Sequence, residues 1–383
     1  MSQIQTLSNN IKVAHLTSVH SRYDTRIFIK QLPTLVRVGY DTLLLVADGR
    51  GNEEKNDIKI IDIGINRFGR IGRMTRTVFS IYKHALKLKA DVYHFHDPEL
   101  ILVGLLLRLH GYKVIYDVHE DYPKHILGLY YIPFRVRNII ARMFSIFENF
   151  SSKYFSSIVS ATPAIAKKFN RINKKSIIIQ NFPILNELYD SETIPWETRS
   201  NAVSYVGGIS KNRGVLEMVK AIEFASKKME VSLILGGNFV PQELKEEIEL
   251  MEGWKKTEYM GYLSREAMGG LFNNTKAGLV IFHPEPNHIS AQPNKLFEYM
   301  SAGIPVIVSD FPLWREIVNS SGCGLLVNPM EPMEIADAII YIIENPIKAV
   351  LFGKLGRKAI EEKYNWGVES TKLETLYKEI LQH

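Results

Sequence analysis

The run Pro293-Asn294-Lys295-Leu296-Phe297-Glu298-Tyr299-Met300-Ser301-Ala302-Gly303-Ile304-Pro305-Val306-Ile307-Val308-Ser309-Asp310 reads as a polar loop, a short helix and a buried strand in succession. Gly303 accepts the left-handed turn that closes a helix, Pro305 cannot continue one, and Val306 to Val308 is a β-branched run suited to the middle of a parallel sheet. A helix that closes directly into a buried strand is half of a crossover unit, and the same alternation extends in both directions. Around it, strands are expected near Val203 to Val206, Val231 to Leu235, Thr257 to Met260, Ala277 to Ile281, Val306 to Ser309 and Gly324 to Val327, with helices from about Pro332 onward. In the first half they are expected near Ile11 to Thr17, Asp41 to Val46, Ile58 to Ile63, Asp91 to Phe95, Lys113 to Asp117, Ser157 to Val159 and Ser176 to Ile179. Phe182 to Ser200, with Pro183, Pro195 and several acids, lacks either periodicity and reads as a linker. The fold class predicted is α/β: two Rossmann-like domains, residues 1–182 and 201–383, joined by 183–200 and facing each other across a cleft, with the terminal helix packing back on the first domain.

The bulk properties agree. A chain of 383 residues suits two domains, and 46% hydrophobic with 23% charged residues excludes a disordered chain. The single cysteine, Cys323, forms no intrachain disulfide, and Met1 to Asn10 is polar rather than signal-like. Leu100 to Leu107 is the longest apolar run and stops at Arg108, so no membrane-spanning helix is expected and the cytoplasm is the expected compartment. Residues 1–190 carry 27 Lys and Arg against 16 Asp and Glu, a net +11, while the rest carries −5, so the first half is expected to meet something anionic.

Three segments carry candidate chemistry. In the opening run, Glu298 offers a carboxylate suited to paired ribose hydroxyls, and the helix start around Asn294, Lys295 and Leu296 offers amides suited to phosphate. The plainer reading is a solvated glutamate on a crossover helix. Tyr205 to Gly214 gives a strand, a turn at Gly207-Gly208 and a helix start, so the backbone can approach a diphosphate while Arg213 meets its charge. The plainer reading of Arg213 and Lys295 is surface charge. In the first half the loop after the first strand holds His20, Asp24 and Arg26. Two later strand ends hold His94-Phe95-His96-Asp97 and Asp117-Val118-His119-Glu120-Asp121, where parallel sheets keep their ligands. A cation at the start of a helix, as at Arg26, is unfavourable without a nearby anion, which Asp24 alone could supply. The His and Asp spacing matches no zinc site.

The Glu298-x-Met300-x-Ala302-Gly303-x-Pro305-Val306 pattern resembles the retaining GT-B glycosyltransferases, specifically glycosyltransferase family 4, and the resemblance spans essentially the full chain. It implies that Glu298 binds the donor ribose and that Asn294, Lys295 and Leu296 contact the sugar and diphosphate. It further implies that His119 lies nearest the transferred sugar and that His20, Asp24, Arg26 and His96 or Asp97 face the acceptor. No metal or cofactor is implied beyond the nucleotide sugar co-substrate. Catalytic roles are expected for His119, Arg213 and Lys295. The resemblance departs at Ser290, where the family usually has a second glutamate; Glu285 or the backbone amides around Ser290 to Gln292 are the candidate replacements. It departs again at Gly208, where an arginine is common, and Lys295 is the candidate second cation.

The implied activity is retaining transfer of a hexosyl unit from a nucleoside diphosphate sugar to a lipid-linked or polysaccharide acceptor in cell-surface glycan synthesis. The rivals are an epimerase or hydrolase on the same scaffold and a non-catalytic sugar-nucleotide-binding subunit. Arg67, Arg70, Arg73 and Arg76 recur every three residues, and Tyr130-Tyr131-Ile132-Pro133-Phe134-Arg135-Val136-Arg137 mixes basic with aromatic side chains. Both suit an anionic membrane surface on the inner face of the cytoplasmic membrane, against the plainer reading of a solvated helix face. No nucleic-acid motif accompanies them.

Overall fold

The computed structural model describes residues 11–64, 69–129, 132–189 and 194–382. The chain divides into two compact units, Met1–Asn181 with Val368–His383, and Phe182–Gly367.

In the first unit the strands are β1 (Lys12–Leu16), β2 (Asp41–Val46), β3 (Glu53–Lys55), β4 (Ile58–Asp62), β5 (Val92–Phe95), β6 (Lys113–Val118), β7 (Ser157–Ser160) and β8 (Ser176–Ile178). They run in the order β3-β4-β2-β1-β5-β6-β7-β8, all parallel except β3. One face packs Leu16, Tyr93, Phe95, Val114 and Tyr116 into a core, while Leu44, Val46, Ile58 and Ile60 on the other meet Ile27, Phe28 and Leu32. Strand β3 is absent from the sequence-based expectation because Glu53, Glu54 and Lys55 carry no apolar alternation. Its pairing with β4 is set by the two-residue turn Asn56-Asp57, both with positive φ, the geometry of a tight hairpin. A 19-residue helix, α1 (Phe134–Ser152), follows β6.

The second unit holds β9 (Ala202–Val206), β10 (Ser232–Gly236), β11 (Thr257–Gly261), β12 (Ala277–Val280), β13 (Val306–Ser309) and β14 (Gly324–Val327), parallel throughout in the order β11-β10-β9-β12-β13-β14. That order reverses between β9 and β12, which opens a crevice at their C-terminal ends. Helix α2 (Val215–Ser226) follows β9 and α3 (Asn294–Ser301) precedes β13. Tyr299 anchors α3: its hydroxyl donates to Ser204 O at 3.0 Å and accepts from Val206 N at 3.1 Å. Its ring occupies the space above Gly278, where a Cβ would lie 2.2 Å from the ring, so a side chain there would overpack at about 1–3 kcal/mol. Ala302 and Gly303, the latter at φ 72°, close α3 through Gly303 N to Met300 O and Ile304 N to Tyr299 O. The segment expected to be a linker holds one short 3-10 helix, Trp196–Thr198, among its described residues. It is more than a tether, because Phe182 packs edge-on against Phe297 and Tyr364, and Leu188 and Trp196 are buried in the same core.

Candidate active site

In the second unit the loops after β9 and β12 and the first turn of α3 converge at the strand-order reversal. Gly207, at φ 135°, ends β9 with its N–H donating to Gly236 O at 2.8 Å. A Cβ on Gly207 would lie 2.3 Å from Lys295 Nζ, and one on Gly208 would lie 2.7 Å from Arg213 Nη1. The glycines therefore let two cations lie directly against the loop backbone, and Arg213 fills the space a side chain at 208 would take. Arg213 donates to Gly208 O at 3.2 Å and lies 5.7 Å from the centre of the Phe282 ring; Lys295 lies 5.8 Å from the same ring and 5.2 Å from that of Tyr205. Neither cation forms an ion pair with a carboxylate among the described residues. Burial and then the charge of Arg213 lower the Lys295 ammonium to about 8. Two adjacent cations over aromatic rings, next to a helix start that no side chain caps, make an arrangement chemically suited to an anion.

Glu298, one turn along α3, is not a solvated surface residue. Arg265 donates to its Oε1 at 2.5 Å, and Glu187 holds the same guanidinium at 3.0 and 2.7 Å. Arg265 thus fixes the carboxylate through Oε1. Arg265 and Glu187 were missed in the sequence. The signal was available, since Arg265 opens a helix behind the Ser264 N-cap, the same cation-at-a-helix-start argument applied above to Arg26. Glu285 is half-buried at the N-cap of the short turn Pro286–Ile289, and Ser290 Oγ donates back to Pro286 O at 3.1 Å, so the Ser290 hydroxyl is engaged within its own loop.

In the first unit, register brings polar residues together on one face of the sheet. His15 on β1 pairs with His94 on β5, and His94 pairs with Ile115 on β6, which puts Asp117, two residues on, on the same face. A hydrogen-bonded line runs from His119 Nε2 to His96 Nδ1 (3.1 Å), from His96 Nε2 to His15 Nδ1 (2.9 Å), and through Tyr377 Oη (3.1 Å) to His94 Nδ1 (2.8 Å). Asp117 accepts from Arg26 Nε and Nη2 at 2.9 and 2.8 Å and from Gln31 at 2.8 Å. Burial would raise the Asp117 carboxyl, but Arg26 and His119 hold it well below the usual carboxylate range. Burial lowers His15 and His94 well below an ordinary imidazole and His96 to about 4. His94, His96 and Asp117 each bring a ligand atom within 4.8 Å of one another, but Arg26 and Gln31 already engage Asp117, and the trio reads as a hydrogen-bonded network.

The acceptor-side candidates lie at different depths in this arrangement. Arg26 is buried, with Nε and Nη2 of its guanidinium donating to Asp117, and Asp24 caps the helix start by accepting from Arg26 N and Ile27 N. His96 and Asp97 are also buried, because β5 carries them beneath the loop after β1. Thr17 Oγ1, Ser18 N and His20 Nδ1 enclose Asp97 at 2.8, 2.6 and 2.9 Å. Although burial would raise Asp97, these donors bring it to about 2, and in return its hydrogen bond raises His20 despite that ring's burial. Asp24, His20 and His119 are partly exposed, and the rings of the two histidines lie 4.8 Å apart.

The comparisons fit this geometry. The model for the glycosyl transferases group 1 matches residues 190–359, and that for glycosyltransferase family 4 matches residues 26–182. The chain belongs to this glycosyltransferase family. An uncharacterized glycosyltransferase of Methanocaldococcus jannaschii is 22% identical over 305 residues, 76% of this chain and 75% of that relative. A phosphatidyl-myo-inositol mannosyltransferase of Mycobacterium leprae is 27% identical over 85 residues, only 22% of either chain. Among solved structures, a sucrose-phosphate synthase of Thermosynechococcus elongatus superposes with a TM-score of 0.78 at 18% identity, covering 97% of this chain and 99% of that one. HepE of Anabaena, solved with UDP and glucose, superposes with a TM-score of 0.72 at 16% identity over 96% and 100%. The fold of this glycosyltransferase is thus that of the GT-B enzymes.

Of the membrane residues expected in this glycosyltransferase, Arg67, Tyr130 and Tyr131 lie outside the described residues, as does the side chain of Arg70. Arg73 is drawn to Glu99 at 3.0 Å, Arg76 and Arg135 are exposed, and Arg137 lies over the Phe134 ring at 5.3 Å. No helix among the described residues is long and apolar enough to cross a membrane.

Proposed function

We propose that this glycosyltransferase moves a hexosyl unit from a nucleoside diphosphate sugar to a hydroxyl of a lipid-linked or polysaccharide acceptor, with retention of anomeric configuration, in cell-surface glycan synthesis at the cytoplasmic face of a membrane. One observation carries the donor half of the reading: Arg213 and Lys295 lie side by side against a glycine turn with no carboxylate partner among the described residues, one helical turn from a carboxylate held by Arg265. Carboxylates suit a ribose diol, and paired cations with helix-start amides suit a diphosphate. Solved proteins of the same fold are named with UDP, glucose and UDP-2-fluoro glucose, which supports a nucleotide sugar donor.

In this reading Glu298 Oε2 binds the ribose, and Arg213 and Lys295 take up charge as the bond from the anomeric carbon to the diphosphate oxygen breaks. The acceptor hydroxyl forms the new glycosidic bond from the same face and passes its proton to the departing phosphate oxygen. His119 borders the sugar, and His20, held by Asp97, faces the acceptor. Anionic lipid near Arg76 and Arg135 would keep a lipid-linked acceptor close. The test is ligand-induced thermal stabilisation with a panel of UDP-, GDP- and TDP-sugars. One donor should raise Tm, and Glu298→Ala should abolish most of that shift; NMR of the product should then show the donor's anomeric configuration. No shift with any donor, or free sugar or an epimer formed without acceptor, overturns the proposal.

A further inference from the structure

Helix α1 is turned the opposite way from most helices of a folded domain. Ala141, Glu148, Ser151 and Ser152 are the residues it buries. Its large apolar side chains face out: Ile139, Ile140, Met143, Ile146, Phe147 and Phe150 are each 40–65% exposed. Spaced by three and four, they fall on one side of the helix at about 100° per residue, opposite the buried residues. A stripe of this length, left to water along a whole helix, marks an interaction surface.

The charges along the helix indicate what covers the stripe. Arg135 and Arg142, seven residues apart, border it on one side and are both exposed. The one acid of the helix, Glu148, is buried, where it accepts from Tyr116 and pairs with Lys168. The outer side therefore offers apolar surface and positive charge with no carboxylate. A second copy meeting this face through the same helix would bring arginines to arginines and no acid to pair with them. A phosphate-rich lipid surface supplies both an apolar layer and negative charge.

We infer that α1 lies in the plane of an anionic bilayer, with its stripe among the acyl chains and its arginines at the headgroup phosphates. The inference deepens the reading of a lipid-linked acceptor and rests on it for its purpose. The helix is not one that could span the membrane, so the binding is peripheral.

The test uses the full chain and sedimentation with vesicles of phosphatidylcholine alone or mixed with phosphatidylglycerol. Binding to the mixed vesicles should exceed binding to the neutral ones at least tenfold and should weaken as salt rises. The triple variant Ile139→Gln, Met143→Gln, Ile146→Gln should lose at least tenfold in binding without a fall in Tm, because its side chains are exposed in the parent. In a separate variant, Met143→Trp, tryptophan emission should shift to the blue when mixed vesicles are added. No sedimentation with any vesicle, or equal binding by the triple variant, overturns the inference. A dimer that the same variant dissolves also overturns it, assigning the stripe to a second copy. The donor-induced Tm shift, measured without lipid, should be the same in parent and triple variant, so failure of the transferase reading and failure of the lipid reading give different results.

Discussion

Lys295 is buried over aromatic rings with the charge of Arg213 beside it, and burial first and that charge second lower its ammonium to about 8 from the usual lysine range. A diphosphate entering the site restores the charge balance and favours the protonated form. Donor affinity should accordingly be full below pH 8 and fall by about tenfold as pH rises through it, the scale of one lost charge-assisted contact. Lys295→Arg should remove that fall, since guanidinium stays charged across the range. Titration of donor-induced stabilisation from pH 7 to 9 checks both; a flat profile in the parent would remove Lys295 from the donor site. At this scale the sequence was informative where a residue sits in a contiguous motif. Gly207, Arg213, Lys295 and Glu298 all stand in two short runs, and the structure brings Arg213 and Lys295 together around Phe282. It was less informative for Arg265, which reaches Glu298 from a different crossover helix 33 residues away.

Strands β1, β5 and β6 illustrate the same limit one level up. Their positions were legible from apolar runs, within a residue or two at each end, because buried parallel strands are nearly continuous hydrophobic segments. What those runs conceal is that His15 and His94 interrupt them at matching register and that Asp117 follows two residues past their level on β6, giving the centre of the sheet one polar face. The buried histidines have a consequence for stability. In the unfolded chain they bind protons below about 6.5, while in the fold they remain neutral until the pH is far lower, about 4 for His96. The unfolded state therefore binds more protons between those limits, and stability falls as pH falls through that window. Each such histidine contributes a slope of about 1.4 kcal/mol per pH unit. His20 acts in the opposite sense: its raised pKa favours the fold at low pH and that share is lost as pH rises through it. With His15, His94 and His96 outnumbering it, the first unit should melt markedly earlier at pH 5 than at pH 7. Calorimetry at the two values decides this, and a first-unit transition that does not move would show that the histidine line is charged in the fold.

Across the whole molecule, the first unit is assembled from both ends of the chain. The stretch Val368–His383 belongs with residues up to Asn181, so the unit is completed only by a helix that follows the whole of the second unit. A terminal helix returning to the first domain was expected, but its anchoring was not legible. Tyr377 is one aromatic among eighteen tyrosines, and it reaches His15 across 362 positions of sequence. Such pairings leave no local periodicity, since they depend on where two distant elements are carried by the fold. The hydroxyl of Tyr377 bridges His15 Nε2 and His94 Nδ1 inside the unit, and Leu373, Leu376 and Ile380 bury the rest of that helix face. Tyr377→Phe keeps the ring and its packing but leaves both imidazole nitrogens without that partner. Two buried orphans at about 1–3 kcal/mol each make a loss of about 3 kcal/mol reasonable, or roughly 6–12 °C in Tm for a unit of this size. The loss should fall on the first unit alone. Calorimetry of Tyr377→Phe should lower the first unit's transition by that amount and leave the transition of Phe182–Gly367 and its donor-induced shift in place. A change confined to the second unit, or none in either, would mean that the hydroxyl does not hold the two histidines together.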